Sequence, residues 1–239
     1  MRIGQALQLI QPQQETAAVD PTDYGSLAMW LDFSDTDTLT VNENGKIMAI
    51  EDKVGTGIVF APTQESHALG YLPNARNGLS AGDAGVTLYP DMLASPSSGV
   101  SGINTAITCF KHVFTEDWQI LWRNYGTATE SNAMRILWYG IDTTYLDAST
   151  FPGADNGTYV FRRNNTGTMS LANNQWHVWA AVAGTGTRYT TQIAGAFVGN
   201  KAGRRFRGCM GEAWFYTNKL DADAYTAASA AMMAKWGIS

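Results

Sequence analysis

From Leu27 onward the chain is written in short apolar or alternating stretches, each cut off by Gly, Asn, Asp or Pro. "LAMWLDF", "TLTV", "KIMAIED", "GIVFA", "GVTLY", "INTAITCFKHVF", "WQILWRNY", "MRILWYGI", "TYVFRR", "TMSLA", "QWHVWAAVAG", "RYTTQIAG" and "RFRGCMGEAWFYT" follow one another in this way. Period-two alternation and runs too short for helices predict strands joined by tight turns. So many strands in one chain of 239 residues imply two packed antiparallel sheets, an all-β sandwich with a single core. The 24 glycines and the 15% content of charged residues fit the same reading, since turns need positive φ and the surface is neutral and polar. No period of repetition points to a propeller or solenoid.

The last residues break the pattern. Asp221 is placed to cap a helix, Asp223 falls in its first turn, Lys235 in its last, and Gly237 stops it. Tyr225, Ala228, Met232 and Trp236 recur at spacings of three and four and give one apolar stripe. A helix over about 221–236 is therefore predicted to lie on the sandwich.

Residues 1–22 read as an arm preceding a domain at 23–239. Ile3, Leu7 and Ile10 fall at helical spacing until Pro12, and "QPQQETAAVDP" has linker chemistry. Five Gln among the first 15 residues and no sustained apolar core exclude a signal peptide, so Sec-type export is not expected. No apolar run is long enough to span a membrane. A net charge of −5 disfavours nucleic acid as a partner. The one basic run, Lys201, Arg204, Arg205 and Arg207, reads as the solvated face of a strand, with an anionic partner surface as the alternative.

Two stretches carry a family likeness. "LAMWLDFSDTDTLTVNENGKIMAIEDKVGTG" resembles the opening of laminin-G-like, concanavalin A-like domains common in bacterial and bacteriophage proteins; Asp52, Lys53, Gly55 and Gly57 match its turn, with Ile50 near the position where the family prefers Trp. "FRGCMGEAWFYTNKLDADAYTAASAAMMAKWGIS" resembles the matching close, and "NNQWHVWAAV" the strand before the last hairpin. The resemblance implies a concanavalin A-like jelly-roll sandwich of two antiparallel sheets. It leaves residues 60–170 without a counterpart.

Catalytic patterns are missing. A glucanase on this fold would carry alternating carboxylates on one strand, as acid and nucleophile, and no Glu begins such a run. Glu212 lies beside Trp214 in an apolar strand without a second carboxylate two or four residues away, so it reads as structural. There is no nucleophile elbow and no phosphate-cradling loop. His177 reads as a structural histidine, and His67, His112 and His177 lack ligand spacing for zinc. Asp32, Asp35 and Asp37 fail the calcium-loop pattern, with Thr40 in place of its glycine, and read as turn and cap residues. Asp142, Asp147 and Asp155 are a weaker acidic cluster. Cys109 and Cys209 read as buried free thiols, with one inter-strand bridge as the alternative. No cofactor and no metal are expected.

Trp30, Trp176, Trp179 and Trp214 are expected in the core. Trp122, Trp138, Tyr139 and Tyr145 are the candidates for a carbohydrate platform, because aromatic faces stack on sugar rings. The expected function is that of a non-enzymatic bacteriophage virion protein, a capsid decoration protein of cement or head-fibre type. Ile3, Leu7, Leu9 and Ile10 of the arm would contact other virion proteins, such as the major capsid protein, or sister subunits in a homo-oligomer, with a trimer the natural symmetric form. The alternative is a lectin-like receptor-recognition module of a tail or fibre, with a host-surface glycan as partner.

Overall fold

A computed structural model describes residues 19–85, 90–95, 100–101, 103–113, 118–123, 133–138, 144–147, 160–163, 172–182, 189–190, 192–193 and 206–239. The strands in chain order are β1 (Leu27–Asp32), β2 (Leu39–Val41), β3 (Lys46–Glu51), β4 (Val59–Ala61), β5 (Leu69–Arg76), β6 (Leu79–Asp83), β7 (Met92–Ser95), β8 (Val100–Ser101) and β9 (Thr105–His112). They continue as β10 (Trp118–Arg123), β11 (Ala133–Trp138), β12 (Thr144–Asp147), β13 (Val160–Arg163), β14 (Gln175–Val182), β15 (Tyr189–Thr190), β16 (Gln192–Ile193) and β17 (Gly208–Tyr216), and one helix, α1 (Ala222–Trp236), ends the chain.

Every described strand pairing is antiparallel. As expected, the fold is an antiparallel all-β sandwich with one terminal helix; its packed layers are joined by hydrogen bonds into one curled sheet. One hydrogen-bonded path runs β12-β11-β10-β16-β7-β4-β3-β5-β6-β17-β9-β14-β13, with β1 on β17 and β2 on β3. A twisted sheet of this extent curls, and the curl brings its two halves face to face. Met29, Leu31, Phe110, Trp179 and Phe215 from one half share a core with Ile47, Ile50, Phe60, Met92 and Leu121 from the other.

The hairpin of β5 and β6, together with β7 and β12, falls in sequence that does not read as strand. In β5 the alternation is broken by Pro73, and the register shifts between Leu72 and Arg76. A bulge is where a sheet tolerates proline, because the missing N–H then leaves no gap in the ladder. Asn77 (φ 48°) and Gly78 (φ 76°) make the two-residue turn, both in the left-handed region that an Asn-Gly pair favours. The stretch "GVTLY" lies mostly, and "TMSLA" almost wholly, outside the described residues.

The helix matches its prediction closely. Asp221 accepts from the Ala224 N–H at 2.9 Å, and Gly237 adopts φ 60° at the other end. Gly237 N–H donates to Ala234 O and Ile238 N–H to Met233 O, a paired closure that satisfies two terminal carbonyls. The stripe of Tyr225, Ala228, Met232 and Trp236 is buried against Ile107, Cys109, Trp176, Val178, Trp214 and Tyr216 on the outer face of β9, β14 and β17. Each large side chain so buried contributes about 1.5–3 kcal/mol relative to exposure, which fixes α1 on the sheet.

Candidate functional site

The strongest concentration of buried charge lies under the end of α1. Strand β17 must present Cys209 and Trp214 to the helix and Met210 and Phe215 to the main core, which simple alternation cannot do. A register shift between Met210 and Glu212 solves this by inserting Gly211 as an extra residue. Beyond the bulge Glu212 points to the helix side, directly opposite Asp32 on β1. Gly211 has no side chain to spare: a Cβ there would sit 2.8 Å from the Trp236 ring.

The Glu212 carboxylate is fully enclosed and fully used. Its Oε1 accepts from Trp30 Nε1 and Trp214 Nε1, each at 2.8 Å, and its Oε2 accepts from Trp236 Nε1 at 3.0 Å and pairs with Lys235 Nζ at 2.8 Å. Lys235 also donates to Asp32 Oδ2 at 2.8 Å. Lys53 reaches Asp32 at 3.3 Å and Asp35 at 2.6 Å, with its ammonium 4.0 Å from the centre of the Trp30 ring. Beneath this, Asp52 accepts from the N–H groups of Trp30, Val54 and Thr56 and from the Thr56 hydroxyl, tying the turn after β3 to β1.

Burial, with the Asp32 charge adding, pushes the Glu212 carboxyl above its usual range against the pull of Lys235 and the Trp236 N–H. Burial also opposes the charge on Asp32, but Lys235, Ser34 and Lys53 outweigh it and hold that carboxyl low. Lys235 is raised because its two carboxylates outweigh its own desolvation. A carboxylate standing opposite Glu212 was not legible from spacing along one strand; Asp32 comes from the other end of the chain. The pair nevertheless lacks what glycoside hydrolysis needs. Both oxygens of Glu212 are taken by donors, Lys235 sits between the two acids, and Glu212 is 0% exposed.

Two histidine clusters are also structural in form. His67 Nδ1 lies 3.0 Å from Asp91 and 2.8 Å from Thr63 Oγ1, and the same hydroxyl donates to Asp91 at 2.8 Å. A nucleophilic triad needs hydroxyl and carboxylate on opposite ring nitrogens; here both meet at Nδ1, and Gln64 holds Nε2 at 2.6 Å. His112 and His177 are buried on the core side of β9 and β14, and burial, with His177 adding, lowers His112 to about 4. Among the described residues no group of three or more His, Cys, Asp or Glu is placed to hold a metal ion, and no helix is long and apolar enough to cross a membrane.

Trp176, Trp179 and Trp214 lie in the core as expected, while Trp30 is half-buried with its N–H on Glu212. Trp122, Trp138 and Tyr145 fall on the neighbouring strands β10, β11 and β12; their side chains, and Tyr139 altogether, lie outside the described residues. The arm residues Ile3, Leu7, Leu9 and Ile10 lie outside them as well, as do Asp142, Asp155, Lys201, Arg204 and Arg205. Asp35 and Asp37 take cap and turn roles: Asp35 caps the short 3-10 turn at Thr36–Thr38, which contains Asp37. Both cysteines are free and buried. Arg207 is half-buried and precedes β17 rather than alternating along a strand.

Sequence reasoning missed one feature with an open face. Asp83, Cys209 and Lys111 stand opposite one another on β6, β17 and β9. They line a cleft of about 400 Å³ together with Leu72, Gly85, Val113, Arg207 and Gly208. The three strands come from distant parts of the chain, so no local pattern could have found it.

No protein-family model matches the chain, and no curated protein matches it. Among solved structures, domain 4 of AbnA, a GH43 extracellular arabinanase from Geobacillus stearothermophilus solved with arabinotriose, is similar at 13% identity and a TM-score of 0.44, covering 85% of this chain and 98% of that one.

Proposed function

We propose that this chain is a non-enzymatic structural protein of a bacteriophage particle, a capsid decoration protein with a jelly-roll sandwich that faces solvent. Its amino-terminal arm, through Ile3, Leu7, Leu9 and Ile10, joins it to the major capsid protein or to sister subunits. The observation that carries this reading is the way the root of the arm is fastened. Residues Pro21–Tyr24 form a 3-10 turn capped by Asp20, Tyr24 stacks on Trp214, and the Tyr216 hydroxyl donates to Pro21 O at 3.1 Å. An arm rooted in this way transmits load into the core, as a tether requires. The saturated Glu212 ensemble supports a scaffold role in the same sense, since it stiffens the fold and leaves no oxygen for catalysis.

The test is deletion of residues 1–18, which removes the arm but keeps its root. The shortened protein folds with an unchanged far-ultraviolet spectrum and no longer joins particles in an assembly assay. Unchanged occupancy on particles would sink the proposal.

A further inference from the structure

We propose that the cleft across β6, β17 and β9 is a binding site for a small acidic saccharide. It lies on the outer face of the sheet, the face that carries α1, because Asp83 and Lys111 stand in register with Cys209, which belongs to the cluster under the helix. Trp176, the next residue opposite Lys111, stacks on Trp236, so the row borders the last turn of the helix.

The chemistry of the walls selects the ligand. Lys111 and Arg207 bring two cations to one cleft in a protein of net charge −5, and among the described residues Lys111 has no carboxylate partner at ion-pair distance. They suit a carboxylate or sulfate group. Asp83 uses Oδ1 to accept the Gly85 N–H at 2.7 Å, which fixes the carboxylate and leaves Oδ2 to accept a hydroxyl. Leu72 and Val113 offer apolar surface to the C–H face of a ring, and Gly85 and Gly208 line the cleft with backbone alone. Gly208 is required there: at φ 134° a Cβ would collide with the carbonyl oxygen of Lys111. A volume of about 400 Å³ lies within the range of small-ligand sites and is too small for a folded partner. An anion, several hydroxyls and a flat apolar face coincide in uronates and sialylated sugars.

This inference is independent of the arm and of particle assembly, and the two fail separately. Binding is measured with the full chain by titration calorimetry and by amide NMR, using a uronate trisaccharide, a sialylated trisaccharide, their neutral counterparts and inorganic phosphate. The expected result is saturable binding of at least one acidic saccharide that shifts the Gly85 and Gly208 amides, with the neutral counterpart at least ten-fold weaker. Lys111→Met and Arg207→Met, at partly exposed positions, each weaken it ten-fold or more while thermal unfolding is unchanged. Binding of neither acidic sugar, equal binding of the neutral forms or of phosphate, or full affinity in both variants would overturn the proposal.

Discussion

Trp236, in the last turn of the terminal helix, and Glu212, on the strand beneath, meet through an indole N–H donating to Oε2 at 3.0 Å. That bond is one of four that the carboxylate accepts, and the other three come from Trp30, Trp214 and Lys235. The first strand, the last strand and the helix are thereby joined at one acid. A buried charge is tolerated only when it is paired and hydrogen-bonded, and here the pairing is complete.

Replacing Glu212 by Gln keeps the shape and removes the charge. The amide NH2 then faces an indole N–H or the Lys235 ammonium, donor against donor, and Lys235 keeps only Asp32. Losing one partner of a buried pair costs about 3–5 kcal/mol. Urea unfolding is expected to show an unfolding free energy lowered by this amount, read as a lower midpoint with an unchanged slope. A loss below about 1 kcal/mol would show that the ensemble does not lock the fold.

How far the sequence discloses this arrangement depends on distance along the chain. Asp221, Gly237 and the stripe from Tyr225 to Trp236 act within a few residues, so cap chemistry and periodicity identify them. Lys235 reads as a charge suited to the end of a helix; its two partners belong to other strands and no spacing reports them. Asp32 reads as a turn residue and does accept from Ser34, yet it also faces Glu212 across a strand pair. The Asp83, Cys209 and Lys111 row is a register property of three strands. Strands broken by a proline bulge, as at Pro73, hide for the opposite reason, since their local pattern is irregular.

Acid should weaken the fold through His112. Burial holds it at about 4 in the native state against about 6.5 when unfolded, so between these values the unfolded chain binds a proton that the folded one refuses. The stabilisation is full above about 6.5 and is lost as pH falls towards 4, to a limit of about 3 kcal/mol. Asp32, held low, extends the loss below its ordinary 3.8, whereas Glu212, held high, acts in the opposite sense near its own range. Thermal melts of wild type and His112→Gln between pH 7 and 4 separate these contributions. The variant should lose most of the slope; identical slopes would exclude His112 as the cause.

The two tight glycines of β17 should respond differently to alanine. At Gly211 the obstacle is the Trp236 ring, a side chain that can shift, and the strain of overpacking is typically about 1–3 kcal/mol. At Gly208 the obstacle is backbone, the Lys111 carbonyl, and φ 134° is itself unfavourable for alanine. Gly208→Ala should therefore prevent folding or cost clearly more than Gly211→Ala. Equal midpoints in a denaturant series would contradict that ordering.

The cysteines offer a last check on the packing of β9 against β17. Cys109 lies opposite Glu212 and Cys209 opposite Lys111, and both are free. Burial raises Cys109 well above its ordinary value and, with Asp83 adding, raises Cys209 to about 11. At pH 8 roughly one Cys209 in a thousand is then a thiolate, the reactive form. A thiol reagent should label the native protein far more slowly than the urea-unfolded chain, with Cys209, on the wall of the cleft, reacting before Cys109. Reductant should leave the melting temperature unchanged, because no bridge constrains the unfolded state. A melting temperature lowered by reductant would mean that the two strands carry a disulfide, and fast labelling of Cys109 would mean that α1 does not seal the sheet.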